Sequence, residues 1–193
     1  MAEQDPTAGE LDSIFDEGPD DLDPAYAAGS ALAAKVAEYL PLDRRRVSGD
    51  PPLTPAEDEH RRELREWFEY EFGVGSPPLA GSQRRSLRVP SALKVRVSGA
   101  RSSDARLANL SSDGAFLETT DAVAPGNRLD LVIESDDGPP IAVAAEVKWF
   151  REIANMDGPC GAGVAFADLD DDSFLALEIQ VHRILEALAR DAR

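Results

Sequence analysis

Hydrophobic side chains in this chain follow two different rhythms. Between residues 24 and 72 they recur at three- and four-residue intervals, and between residues 93 and 166 they alternate with polar ones. In the first region Leu32, Val36, Tyr39 and Leu40 share a helical face, opened by Asp23-Pro24 as N-cap and first-turn proline and closed by Pro41. Residues 41–53, with three prolines and Arg44, Arg45 and Arg46, read as a linker with a solvated charge run. Thr54-Pro55-Ala56-Glu57 has the form of a capping box with proline at N1, and predicts a second helix to about Phe72. Its stripe is Leu64, Trp67, Phe68 and Phe72, which are core or interface residues; Gly73 and Gly75 end it. Such helices must pair as a hairpin, pack on the rest of the chain, or meet a partner.

Residues 73–82, with Pro77 and Pro78, mark a boundary, and beyond it the period becomes two. Leu93, Val95 and Val97 predict one strand; residues 106–110 and 115–118 predict two more, joined through Ser111-Ser112-Asp113-Gly114. Leu129, Leu131 and Ile133 alternate in a fourth, Ile141 to Trp149 in a fifth, and residues 163–166 supply a sixth. Six short strands separated by turn residues argue for a small antiparallel barrel in an α+β fold. A last helix opens in the acidic run 170–172, with Phe174, Leu177, Val181, Ile184, Leu185 and Leu188 facing the barrel and His182 at the surface or its boundary. The organisation is therefore an acidic disordered tail (1–22), a two-helix segment (23–75), a linker (76–82) and a barrel with its C-terminal helix (83–190).

Charge changes this picture locally. The 193 residues carry a formal charge of −17, which disfavours bulk attraction to DNA, RNA or anionic lipid. Yet residues 81–106 contain Arg84, Arg85, Arg88, Lys94, Arg96, Arg101 and Arg106 against Asp104 alone, so a compact anion finds a basic site there. No apolar run approaches the ~18 residues of a membrane span. The carboxylate-rich N-terminus is unlike a targeting peptide, and the single Cys160, read as a small buried side chain, fits a reducing cytoplasm. Within the tail, the segment 11–16 mixes Leu11, Ile14 and Phe15 with acids, in the manner of a short docking helix, or serves only as a solubilising tail.

The polar residues that group most suggestively are Arg84-x-x-x-Arg88 and Asn109-x-Ser111-x-x-Gly114. Pro90 favours an extended arm, from which two arginine forks can splay around one ligand. Asn109 offers donor and acceptor to a base edge, and Ser111 a hydroxyl. Gly114 permits a positive φ and a close approach to the backbone. A ligand with several negative charges and guanine-like edges matches all of these. No Gly-rich phosphate loop with its lysine, no His/Cys metal cluster and no paired nucleophile and base are evident, so the chain does not read as an enzyme.

These two motifs, in this order and at these strand ends, resemble the signature of PilZ domains, bacterial receptors for cyclic di-GMP. The stretches 147–149 and 161–166 and the final helix extend the resemblance over roughly residues 82–190. It implies a PilZ-like six-stranded barrel and no cofactor, with cyclic di-GMP as ligand. Arg84 and Arg88 would hold phosphates and guanine faces, with Arg85 as an extra phosphate contact. Asn109, Ser111 and Gly114 would line the barrel side, and Trp149 would lie either against the ligand or in the core. A protein partner is expected at the N-terminal helices or acidic tail, with no DNA, RNA or membrane insertion. The alternative is a ligand-independent PilZ-type adaptor working through Trp67, Phe68 and the tail; a third, less favoured, is nonspecific nucleic-acid binding along residues 84–106.

Overall fold

The structure, a computed structural model, describes residues 24–73, 86–98, 103–135, 138–154 and 158–192. The expected tail at 1–22, the N-cap at Asp23, the linker at 76–82, and Arg84 and Arg85 lie outside the described residues. The elements, in chain order, are α1 (Pro24–Ser48), α2 (Pro55–Glu71), β1 (Val89–Pro90), β2 (Lys94–Ser98), β3 (Ser103–Leu110), β4 (Gly114–Glu118), β5 (Arg128–Ile133), β6 (Ile141–Arg151), β7 (Gly161–Ala167) and α3 (Asp171–Asp191).

The alternating stretches become the strands of a closed barrel. Neighbours run β3-β2-β5-β6-β7-β4, and β4 pairs back onto β3, every pair antiparallel. Closure leaves little unpaired edge; the two-residue β1 adds to β3, with Val89 opposite Leu110. Inward positions fill the barrel: Val95, Leu107, Leu117, Leu131, Ile133, Val147 and Ala162 are all at most 1% exposed. α3 lays Leu177, Val181 and Leu185 onto the same core. It is capped as its acidic start predicts, with the Asp170 side chain accepting from Ser173 N at 2.7 Å.

The two N-terminal helices join this core. Tyr39 and Phe68 are fully buried and meet edge-to-face, with ring centroids 5.4 Å apart. The capping box of α2 forms as expected: Thr54 Oγ1 accepts from Glu57 N, and Glu57 Oε2 accepts from Thr54 N at 2.8 Å. Glu57 also takes Arg45 Nη1 at 2.6 Å, joining the end of α1 to the start of α2. The Arg45 bond first and the Thr54 bonds next hold the Glu57 carboxyl at about 2.

Three expectations are corrected here. Pro41 does not close the first helix; α1 continues to Ser48, and the connection to α2 is confined to residues 49–54. Interior proline sacrifices a helix hydrogen bond, and the contacts made by residues 43–46 offset that loss. Two of the three arginines are accordingly not a solvated run: Arg45 holds Glu57 and Arg46 reaches Asp43 and Glu178, whereas Arg44 stays exposed in a surface pair with Glu186. His182 is not a surface residue but 7% exposed, with Nε2 2.9 Å from Asp43 Oδ2.

Asp43 is 2% exposed and gathers Arg46 Nε at 2.7 Å, Arg61 Nη1 at 3.3 Å and His182. Burial alone would raise its carboxyl, but the hydrogen bonds from His182 and Arg46 outweigh this and hold it well below the usual carboxylate range. Asp43→Asn is expected to lose about 1–3 kcal/mol of stability in urea titrations, because Arg46 and Arg61 each keep their place and lose one of two counter-charges. The unfolded chain binds this proton near pH ~3.9 and the folded chain only at lower pH. The Asp43 contribution is therefore complete above about pH 5 and drains away as pH falls below 4. Urea midpoints at pH 6, 4 and 2 should show that dependence in the native chain and less of it in the Asn variant.

Candidate functional site

Two β-bulges build the face on which the sequence motifs meet. Inward residues of β3 include Leu107, so strict alternation would turn Asn109 inward as well. A bulge between Leu107 and Asn109 breaks the alternation, pairing Leu107 with Leu117 but Asn109 with Phe116. On β6 a second bulge lies between Val147 and Trp149, and Trp149 pairs with Gly163. The register then forms one cross-strand row, Pro90–Asn109–Phe116–Gly163–Trp149, running over β1, β3, β4, β7 and β6. Directly opposed residues share a face, and this one lies outside the barrel. Leu87 and Val89 are buried, so by alternation Arg88 stands on the Pro90 side, next to Asn109.

The row carries an aromatic shelf. Trp149 is 44% exposed and stacks on Phe116, with centroids 5.2 Å apart and planes 28° from parallel. Of the two places open to Trp149 on sequence grounds, the core is ruled out. Phe116, only 4% exposed, does not belong to the core cluster; the shelf itself covers it. Arg151 Cζ lies 5.3 Å from the Trp149 centroid and 5.5 Å from that of Phe116. Glycines make the shelf possible. A Cβ on Gly163 would sit 2.3 Å from the Trp149 ring, and one on Gly161 would meet the Leu117 carbonyl oxygen at 2.0 Å. A parallel row, Lys94–Arg106–Glu118–Gly161–Arg151, gives this face a mainly basic border.

The turn between β3 and β4 is more internal than its motif suggests. Ser111 is 3% exposed, and its amide and hydroxyl both donate to the Gly114 carbonyl, at 2.9 and 3.0 Å. Gly114 opens β4 and is not among the described positive-φ glycines, so the expected left-handed turn role is corrected. What requires glycine is the neighbouring strand: a Cβ would lie 2.2 Å from the Val164 carbonyl oxygen. The Asn109 carboxamide oxygen is buried and has no hydrogen-bond partner among the described residues. Asn109, Arg88 and Trp149 are thus brought to one face, Ser111 and Gly114 shape the turn beneath it, and Arg84 and Arg85 lie outside the described residues. Cys160 is not buried as expected but intermediate in exposure, its thiol donating to the Glu152 carbonyl at 3.1 Å.

Sequence reasoning missed Phe116, Arg151 and Ser112. The first two follow from register rather than from any motif. Ser112 occupies an unassigned position of the motif, yet it is 1% exposed and bonded to Ser86 and to Glu178 of α3. Among the described residues, no helix is long and apolar enough to cross a membrane.

The closed barrel, its two bulges and the C-terminal helix define a small antiparallel β-barrel domain. The family model for the PilZ domain matches residues 82–187, more than half of the chain, and the chain belongs to that family. Among solved structures it is similar to the PilZ domain with c-di-GMP of YcgR from Escherichia coli, at 19% identity over 58% of this chain and 95% of that one, with a TM-score of 0.44. It is also similar to the Bacillus subtilis inhibitor of motility MotI, at 17% identity over 57% of this chain, with a TM-score of 0.46. The match spans 56% of the MotI chain. No curated protein matches the chain.

Gly114→Ala should lower the thermal midpoint, with a cost of about 1–3 kcal/mol, since the added methyl meets backbone that cannot rotate away. A thermal melt followed by circular dichroism checks it.

Proposed function

We propose that this protein is a receptor for cyclic di-GMP, bound on the outer face of the barrel between the Arg84–Arg88 arm and the Trp149 shelf. The observation that carries this is the register row that puts Asn109 and Trp149 on one outer face, beside Arg88. Arginine forks suit phosphates and the O6/N7 edge of guanine; Arg84 and Arg88 take that role, with Arg85 on a further phosphate. Asn109, with its free buried carboxamide oxygen, reads a base edge. Ser111 and Gly114 set the turn that presents it. Trp149, supported by Phe116 and flanked by Arg151, offers a face for one guanine.

Binding engages the arm between the N-terminal helices and the barrel, and so converts nucleotide occupancy into a change in the helical surface or its partner. Membership of the PilZ family supports the same ligand. The chain acts as a binding protein without an enzymatic step of its own.

Isothermal titration with cyclic di-GMP should give saturable heat, and its absence for the native chain would sink the proposal. Arg84→Ala and Arg88→Ala are expected to abolish that heat while leaving the thermal midpoint nearly unchanged. Trp149→Ala should weaken binding by about 1–3 kcal/mol, the usual worth of one base–aromatic stack. In a Trp67→Phe background, which leaves Trp149 as the only tryptophan of the two in the sequence, nucleotide should quench the remaining fluorescence.

A further inference from the structure

Each half of the motif pair contributes one buried hydroxyl to a relay that ends on a carboxylate belonging to neither. Ser86 lies within the Arg84–Arg88 arm and is 7% exposed; Ser112 lies within the Asn109–Gly114 turn and is 1% exposed. Their oxygens are 2.6 Å apart, and Ser112 Oγ is 2.8 Å from Glu178 Oε1 on α3. An ionised carboxylate can only accept, so the one proton of Ser112 goes to Glu178 and Ser86 donates to Ser112. The same Glu178 oxygen receives Arg46 Nη2 of α1 at 2.7 Å. Arg46 continues to Asp43, and Asp43 to Arg61 of α2. A continuous line of hydrogen bonds therefore joins arm, turn, α3, α1 and α2.

Its charges explain why the line acts as a unit. Glu178 is 3% exposed, and Arg46 is the only guanidinium paired with it among the described residues. A carboxylate so buried is strongly destabilised without a partner, so α1 must stay docked to supply Arg46 to the group that holds Ser112. Asp43, Glu178 and His182 have donor atoms close enough for a metal ion. Arg46 and Arg61, however, already balance the two carboxylates, and a dication would be repelled by both.

We propose that Glu178 is a positioning residue that couples nucleotide binding at the arm to the docking of the α1–α2 pair. This rests on the cyclic di-GMP reading above. With Ser86 tied to Ser112, Leu87 and Val89 enter the core and Arg88 stands beside Asn109. The intact line thus holds the arm in the binding arrangement. Docked helices raise nucleotide affinity, and by reciprocity bound nucleotide tightens the docking.

The test combines titration calorimetry with amide hydrogen exchange on the full chain. In the native protein, cyclic di-GMP should slow exchange in α1 and α2, far in sequence from every proposed ligand contact. Ser112→Ala removes the link without leaving Arg46 unpaired; it should bind about 5–150-fold more weakly, the usual range of coupling between sites, and lose the nucleotide-dependent protection of α1 and α2. Glu178→Gln should do the same if it folds. A native chain that binds nucleotide without slower exchange in α1 and α2 overturns the coupling alone. So does a folded Ser112→Ala chain with native affinity and native protection. A native chain that gives no heat overturns the functional reading first, and the coupling with it.

Discussion

The structure depends on partnering two carboxyl groups, Asp43 and Glu178, that lie in the protein interior. Each carboxylate brings a desolvation cost of several kcal/mol, and it is tolerated only because donors converge on it, most of them from other elements. Arg46 serves both carboxylates, Arg61 and His182 serve Asp43, and Ser112 serves Glu178. Those donors come from α1, α2, α3 and the β3–β4 turn. Apolar stripes alone would let three amphipathic helices slide over one another, since burial is nondirectional. The ion cluster has one arrangement in which every group is satisfied, and that fixes the helical layer against the barrel.

On the other side of the same turn, the outer face is governed by backbone. The bulges at Leu107/Asn109 and Val147/Trp149 turn polar and aromatic side chains out of the barrel, and the glycines of β7 leave room for them to lie flat. The β3–β4 turn thus faces two environments. Ser112 is drawn into the charged interior, whereas Asn109 stands on the face proposed to meet the nucleotide. A net negative protein can still present such a face, because the Lys94–Arg151 row places its basic groups locally.

Much of the fold was legible because it rests on local rules. Strand periodicity located all six barrel strands, and Thr54 with Glu57 announced the start of α2 in full. The motif pair pointed to the family. What resisted were the places where a tertiary partner overrides a local preference. Pro41 reads as a stop, yet the bonds of residues 43–46 carry the helix past it. His182 and Arg46 look like surface residues on their own helices, and only the meeting of α1 with α3 makes them internal. The position of Trp149 was undecidable for a sharper reason. Ile141, Val143, Ala145 and Val147 point inward, and parity assigns Trp149 to the same side until a single extra residue, Lys148, reverses it. Gly114 was recognised as necessary, but for a dihedral angle rather than for the strand that passes beside it.

Gly161 and Gly163 have a consequence for how this face can change over time. The indole lies against the bare backbone of Gly163 as well as on the Phe116 ring, so the sheet sets one side of the shelf directly. One carbon atom added at Gly163 meets the indole directly, and one added at Gly161 meets the Leu117 carbonyl and the Phe116 ring. Larger side chains are thereby excluded along a strip that need touch no ligand at all. Two residues with no side-chain chemistry thus become as restrictive as the arginines.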